Sequence, residues 1–222
     1  MGWKTMNATF RRFCVAVVFS IAFAYIEAAV VVYLRAIFHP AGFTFPLAEF
    51  GIGPLWRRLL LTEIGRETAT LVLVFTGASL FGIDRRHQFA YFATIFAVWD
   101  MFYYLWLKLL IHWPASLFDW DILFLIPIPW AGPVIAPLII SLTLLVFAVV
   151  VLYRLSIASA VKVSTPEWLG FVFAGLLVVV SFWIAGRFMT QPDFKEYFYW
   201  PLFAVGELAA VGLFIRCLLK PK

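Results

Sequence analysis

Long apolar runs broken by small clusters of charge set the pattern of this chain. An α-helix needs about 20 apolar residues to cross a hydrocarbon core of about 30 Å, because lipid offers no partner to an unpaired backbone group. Six stretches reach that length, at residues 13–36, 56–81, 88–110, 134–155, 167–187 and 197–218. The last three are almost featureless in their middles apart from Glu207, whereas the first three carry charges well inside. Two longer connections, 39–55 (HPAGFTFPLAEFGIGPL) and 111–134 (IHWPASLFDWDILFLIPIPWAGPV), are apolar and rich in Pro and aromatic residues. They are too broken to span and too apolar for water, so they are expected to lie in the interface or fold back into the bundle mouth. The pattern therefore predicts an all-α integral membrane bundle of about six transmembrane helices. Two apolar interfacial or re-entrant segments cap its outer side, and residues 1–222 form one transmembrane domain.

Composition narrows this reading. Of 222 residues, 64% are hydrophobic and 13% charged, and the mean hydropathy is +0.98. A chain this short cannot hide so much apolar surface behind so few charges, which excludes an ordinary soluble domain. The net charge of +5 is spread in ones and twos between apolar runs rather than gathered in a patch. It reads as topology signal and lipid-headgroup contact, not as a nucleic-acid footprint. Lys4, Arg11 and Arg12 before an apolar stretch imitate a signal peptide. That stretch runs from Phe13 to Leu34 with Ser20 and Glu27 as its interruptions, which is spanning length, so a retained first span is expected.

Orientation follows from Lys and Arg. With the N-terminus inside, ten basic residues fall on the cytoplasmic side: Lys4, Arg11, Arg12, Arg85, Arg86, Arg154, Lys162, Arg216, Lys220 and Lys222. Six fall opposite: Arg35, Arg57, Arg58, Lys108, Arg187 and Lys195. The bias puts both termini in the cytoplasm. Cys14 and Cys217 then sit at the reducing face, where no disulfide is expected.

Five of the twelve acids fall inside spans: Glu27, Glu63, Glu67, Asp100 and Glu207. Each costs a few kcal/mol on insertion scales and so needs a partner or a purpose. Glu27 lies nine residues and Asp100 ten residues from the outer ends of their spans, while Glu67 and Glu207 lie ten residues beyond Arg57 and Tyr197. All four reach a similar depth near the bilayer centre. Glu63 and Glu67 share a helix face with Arg66 beside them, and Glu27, Glu67 and Asp100 are expected to converge. Small residues around Glu27 and Glu207 suit close helix approach.

Three readings of these acids stay open. In a structural network Arg66 neutralises one carboxylate and nearby hydroxyls bond to others, but one arginine cannot balance five carboxylates. In a metal site the carboxylates hold a divalent ion. The Glu-x-x-His motif of carboxylate-bridged centres is absent, however, and the nearest approximation is Asp84-Arg85-Arg86-His87 in a loop. In a proton or cation path Glu27, Glu63, Glu67 and Asp100 bind or pass the ion, with Arg66 as internal counter-charge. The third is favoured. An enzyme acting on a lipid-soluble substrate would use the same residues, with His112, Asp119 and Asp121 at the outer mouth. A membrane subunit would use the acids and small-residue faces to dock partner helices, or a second copy of the chain. P-loop, zincin, nucleophile-elbow and Cys-x-x-Cys motifs are absent.

Two segments, EIGRETAT at 63–70 and VWDMFYYLWLKLLIHWPASLFDWDILFLIPIPWAGPVIAP at 98–137, resemble an uncharacterised family of small bacterial polytopic membrane proteins. The resemblance implies a bacterial inner membrane and assigns no residue a role.

Overall fold

The computed structural model describes residues 2–40, 42–47 and 54–220. Part of the expected 39–55 cap, namely 41 and 48–53, therefore lies outside the described residues, as do the Lys4 side chain and Lys222. Among the described residues there are six α-helices: α1 (Gly2–Phe38), α2 (Pro54–Phe81), α3 (Arg85–Ile111), α4 (Ile135–Ser156), α5 (Thr165–Arg187) and α6 (Trp200–Leu219). Among the described residues, five helical stretches are long and apolar enough to cross a membrane: Ala8–Phe38, Arg85–Ile111, Ile135–Ser156, Thr165–Arg187 and Phe194–Leu219. At 28 residues α2 has the length, but its first half carries Arg57, Arg58, Glu63, Arg66 and Glu67. The chain is thus an all-α membrane bundle in which α2 stands apart by charge.

The segment expected to be an irregular cap contains a small sheet. Strands β1 (Trp120–Phe124) and β2 (Trp130–Pro133) pair antiparallel, with Trp120 opposite Pro133 and Asp121 opposite Gly132. Pairing satisfies backbone groups that an irregular apolar loop would leave open.

The chain divides into two compact units. The first comprises residues 1–42, 73–119 and 135–162. Within it α3 packs against both α1 and α4, which is why its buried residues spread round much of its circumference, including Ala90, Thr94, Ala97, Val98 and Leu107. α1 instead buries one stripe at helical spacing: Ala16, Ser20, Phe23, Ala24, Glu27, Ala28 and Arg35. Paired contacts show that α1 and α3 run parallel. The Tyr91 hydroxyl donates to the Thr9 carbonyl (3.4 Å), Phe23 stacks on Trp99 (6.1 Å between centroids), Tyr25 meets Trp106 edge-on (5.3 Å), and the Arg35 guanidinium lies 3.7 Å over Trp113. Asp84 starts α3 by accepting the Arg86 and His87 amides, each at 2.9 Å. His112, at φ 57°, ends it by donating to the Lys108 carbonyl.

The second unit comprises residues 43–72, 120–134 and 163–222. Here α5 and α6 form an antiparallel pair. A Cβ on Gly206 would come within 2.7 Å of both the Ala174 carbonyl and Val178, so the absent side chain is what lets the helices approach. At the far end Glu167 receives the Ser164 amide and hydroxyl, both at 2.8 Å, and an ion pair from Lys220. β2 lies on α5, where Gly186 faces the Pro129 carbonyl and Gly132 faces Phe182 and Phe198. The stretch 43–47 joins this layer. Leu47 donates to the Met189 carbonyl (3.0 Å), and Phe45 packs on Trp120 and Phe194.

Candidate functional site

In the first unit the sequence-expected acids are Glu27 and Asp100. Glu27 is 6% exposed and Asp100 7% exposed, each on a helix apolar enough to cross a bilayer. Glu27 belongs to the inward stripe of α1 because it follows Phe23 and Ala24 by four and three residues, and Ala28 beside it leaves room for a neighbouring helix. Asp100 is reached from α4, where the Ser141 hydroxyl donates to its Oδ2 at 2.8 Å and both residues are buried. The parallel α1–α3 register fixes their relative depth. Glu27 lies four residues past Phe23 and Asp100 one past its stacking partner Trp99, an offset of roughly 5 Å at helical rise. The equal depth expected from span ends is therefore blurred by about one turn.

In the second unit Arg66 pairs with Glu63, with Nε 2.9 Å from Oε1 and a further contact through its terminal nitrogen. This pair is half-buried. Glu67, four residues from Glu63, is 5% exposed, and its Oε2 accepts the Leu125 amide at 2.8 Å. Leu125 follows β1, so Glu67 ties the hairpin to the charged half of α2. The sequence placed Glu63, Arg66 and Glu67 in one constellation. In the structure Glu63 and Arg66 form an ion pair and Glu67 also holds the Leu125 amide.

The residues expected at an outer mouth sit at the end of α3, in the turn after it and in β1. His112 is exposed and ends α3. Asp119 Oδ2 accepts the Ala115 and Ser116 amides at 2.7 and 3.1 Å, which shapes the turn after α3. Asp121, 3% exposed, sits in β1 of the second unit. Glu207 is partly exposed on α6. Outside the spans, amide donation from His87, the His87 ring and the Arg86 amide hold the Asp84 carboxyl below its ordinary range. Burial and then the nearby Arg35 charge push the His39 imidazole down. The Asp84-x-x-His87 sequence is thus a helix cap, its His87 Nδ1 3.0 Å from Asp84 Oδ1.

Among the described residues, no group of three or more His, Cys, Asp and Glu side chains could hold a metal ion. Cys14 and Cys217 are free thiols.

Several groups escaped sequence reasoning. Ser141 gave no signal, since a serine in an apolar span reads as neutral. The Leu125 amide cannot be read from side-chain chemistry at all. Glu167 did carry a signal, because Ser164-x-x-Glu167 before an apolar run is a capping pattern. Compared with family models, curated proteins and solved structures, the chain finds no match.

Proposed function

We propose that this chain is a multi-pass protein of the bacterial inner membrane, with both termini cytoplasmic, that binds or passes a proton or cation through Glu27 and Asp100. The observation that carries the reading is the burial of both carboxyls within one unit, each on a helix apolar enough to cross a bilayer. A charged acid at the centre of a transmembrane helix costs about 2.5–3.5 kcal/mol. An exchangeable proton or cation offsets such a charge. Arg66 serves Glu63 as counter-charge, and Glu67 accepts the Leu125 amide beside the hairpin. A divalent metal held by the carboxylates has less support, since it would need several oxygen ligands from one cluster.

A lipid-soluble carbodiimide tests the reading, because it adds to a protonated carboxyl inside a bilayer. Treated in membranes and mapped by mass spectrometry, Asp100 or Glu27 takes up the label, and labelling falls at high pH or with a bound cation. Absence of label at both residues under all conditions would overturn the proposal.

A further inference from the structure

The two ends of the first unit use their cations differently. At one end Arg35 is buried and lies over Trp113, and Lys108 Nζ donates to the Pro114 carbonyl at 2.8 Å. Both side chains are tied into the protein. At the other end Arg11 and Arg12 on α1, and Arg85 and Arg86 on α3, are all exposed. The parallel register of the two helices brings these pairs together. Where the Tyr91 hydroxyl meets the Thr9 carbonyl, Arg11 lies two residues further along α1 and Arg86 five residues back along α3. Seven residues of helical rise, roughly 10 Å, separate them along the axis, and two side chains as long as arginine can narrow that gap. α4 returns to the same end. Its first residue, Ile135, donates to the Leu117 carbonyl beyond α3 (2.8 Å), and Ser141 meets Asp100. From that contact Arg154 is thirteen residues along α4 and Arg86 fourteen residues back along α3, each about 20 Å away at helical rise. Among the described residues of this unit, Asp84 is the one acid at this end, and it caps α3.

The chemistry beside the arginines is apolar. Phe10 is 68% exposed and adjoins Arg11, and Phe89 is 53% exposed three residues after Arg86. A guanidinium fork matches phosphate oxygens in a bidentate pair, and the exposed rings offer surface to hydrocarbon. A phospholipid has both parts, whereas a free phosphate would use only the first. We propose that Arg11, Arg12, Arg85 and Arg86 form a binding surface for an anionic phospholipid, with its phosphate on the guanidiniums and its acyl chains along the apolar flank of α1 and α3. Charge complementarity selects the anionic class, because a zwitterionic headgroup brings its own cation to a surface that already holds four.

Native mass spectrometry of the full chain reads this preference, with phosphatidylglycerol and phosphatidylcholine of the same acyl chains as probes. The parent retains phosphatidylglycerol better by at least about fivefold, the effect of one basic residue near an anionic surface. Arg85→Gln with Arg86→Gln, and Arg11→Gln with Arg12→Gln, each lower phosphatidylglycerol retention by at least that factor and leave phosphatidylcholine unchanged. Arg57→Gln with Arg58→Gln removes the same charge from exposed positions on α2 in the second unit and keeps the parent's retention. A thermal melt establishes that each variant is folded. Should a Gln pair not fold, the matching Lys pair keeps the charge, loses the fork and retains less lipid than the parent. No preference in the parent, undiminished retention in the folded variants, or an equal loss in the α2 control overturns the proposal.

Discussion

Asp100 and Glu67 are both buried acids, yet different partners give them different tasks. Asp100 meets a hydroxyl, which can stay bonded through loss and gain of a proton. Glu67 meets a backbone amide, which fixes a neighbouring segment. Replacing Glu67 separates anchor from carrier. Glu67→Ala leaves the Leu125 amide without this acceptor and should cost about 1–3 kcal/mol. Glu67→Gln keeps an acceptor oxygen and should cost less than about 1 kcal/mol. Thermal unfolding ranks the two, and faster amide exchange across 120–134 in the Ala variant locates the loss. Equal effects would deny Glu67 its anchoring role. A second expectation concerns Asp84, whose carboxyl is held below its unfolded value of 3.8 mainly by the His87 amide and ring. A depressed carboxyl contributes stability that is present above that value and lost as pH falls through the lower folded one. Asp84→Asn keeps an N-cap oxygen, so acid unfolding of this variant should lose that component of its pH dependence below about pH 4.

At the scale of elements, close approach between α5 and α6 depends on the missing side chain of Gly206. Gly206→Ala drives a methyl into the Ala174 carbonyl and Val178 and should destabilise by about 1–3 kcal/mol. Gly212→Ala on the same helix meets nothing within 4 Å and should be neutral or slightly stabilising. Melting temperatures of the pair decide it, and equal melts would mean that the helices separate without cost. The small residues flanking Glu207 made this face legible in the sequence. Six helices were legible too, because span length is set by bilayer thickness. The hairpin was not. β1 reads WDILF and β2 WAGP, too short and too rich in Pro and Gly nearby to show a period of two. Its pairing is set by docking on α5 through Gly132 and Gly186, a tertiary effect. The parallel register of α1 and α3 was equally hidden. It rests on single contacts such as Trp106 Nε1 donating to the Ile21 carbonyl (3.1 Å), which apolar periodicity does not encode.

For the whole molecule, five apolar helices and a charged α2 raise the question of how many times the chain crosses. Six crossings would put both termini on one side, and the proposal takes that side as the cytoplasm from the Lys and Arg bias. Reporter fusions after Lys222 and within 111–134 should report the cytoplasm and the opposite side, respectively. Termini on opposite sides would mean that α2 does not span. The buried acids were visible in the sequence because charge in an apolar run is conspicuous. Their partners were not, since Ser141 lies 41 residues from Asp100 and Leu125 lies 58 from Glu67. The proposal in its stronger form is that Glu27 and Asp100 pass a proton or cation across the bilayer, and flux through purified protein in liposomes tests that most directly. With a trapped pH dye and an imposed proton or sodium gradient, the account predicts flux above empty vesicles that is abolished in Asp100→Asn and reduced at least tenfold in Glu27→Gln, both folded. Parent protein that passes neither ion, or variants that pass it at the parent rate, would contradict it.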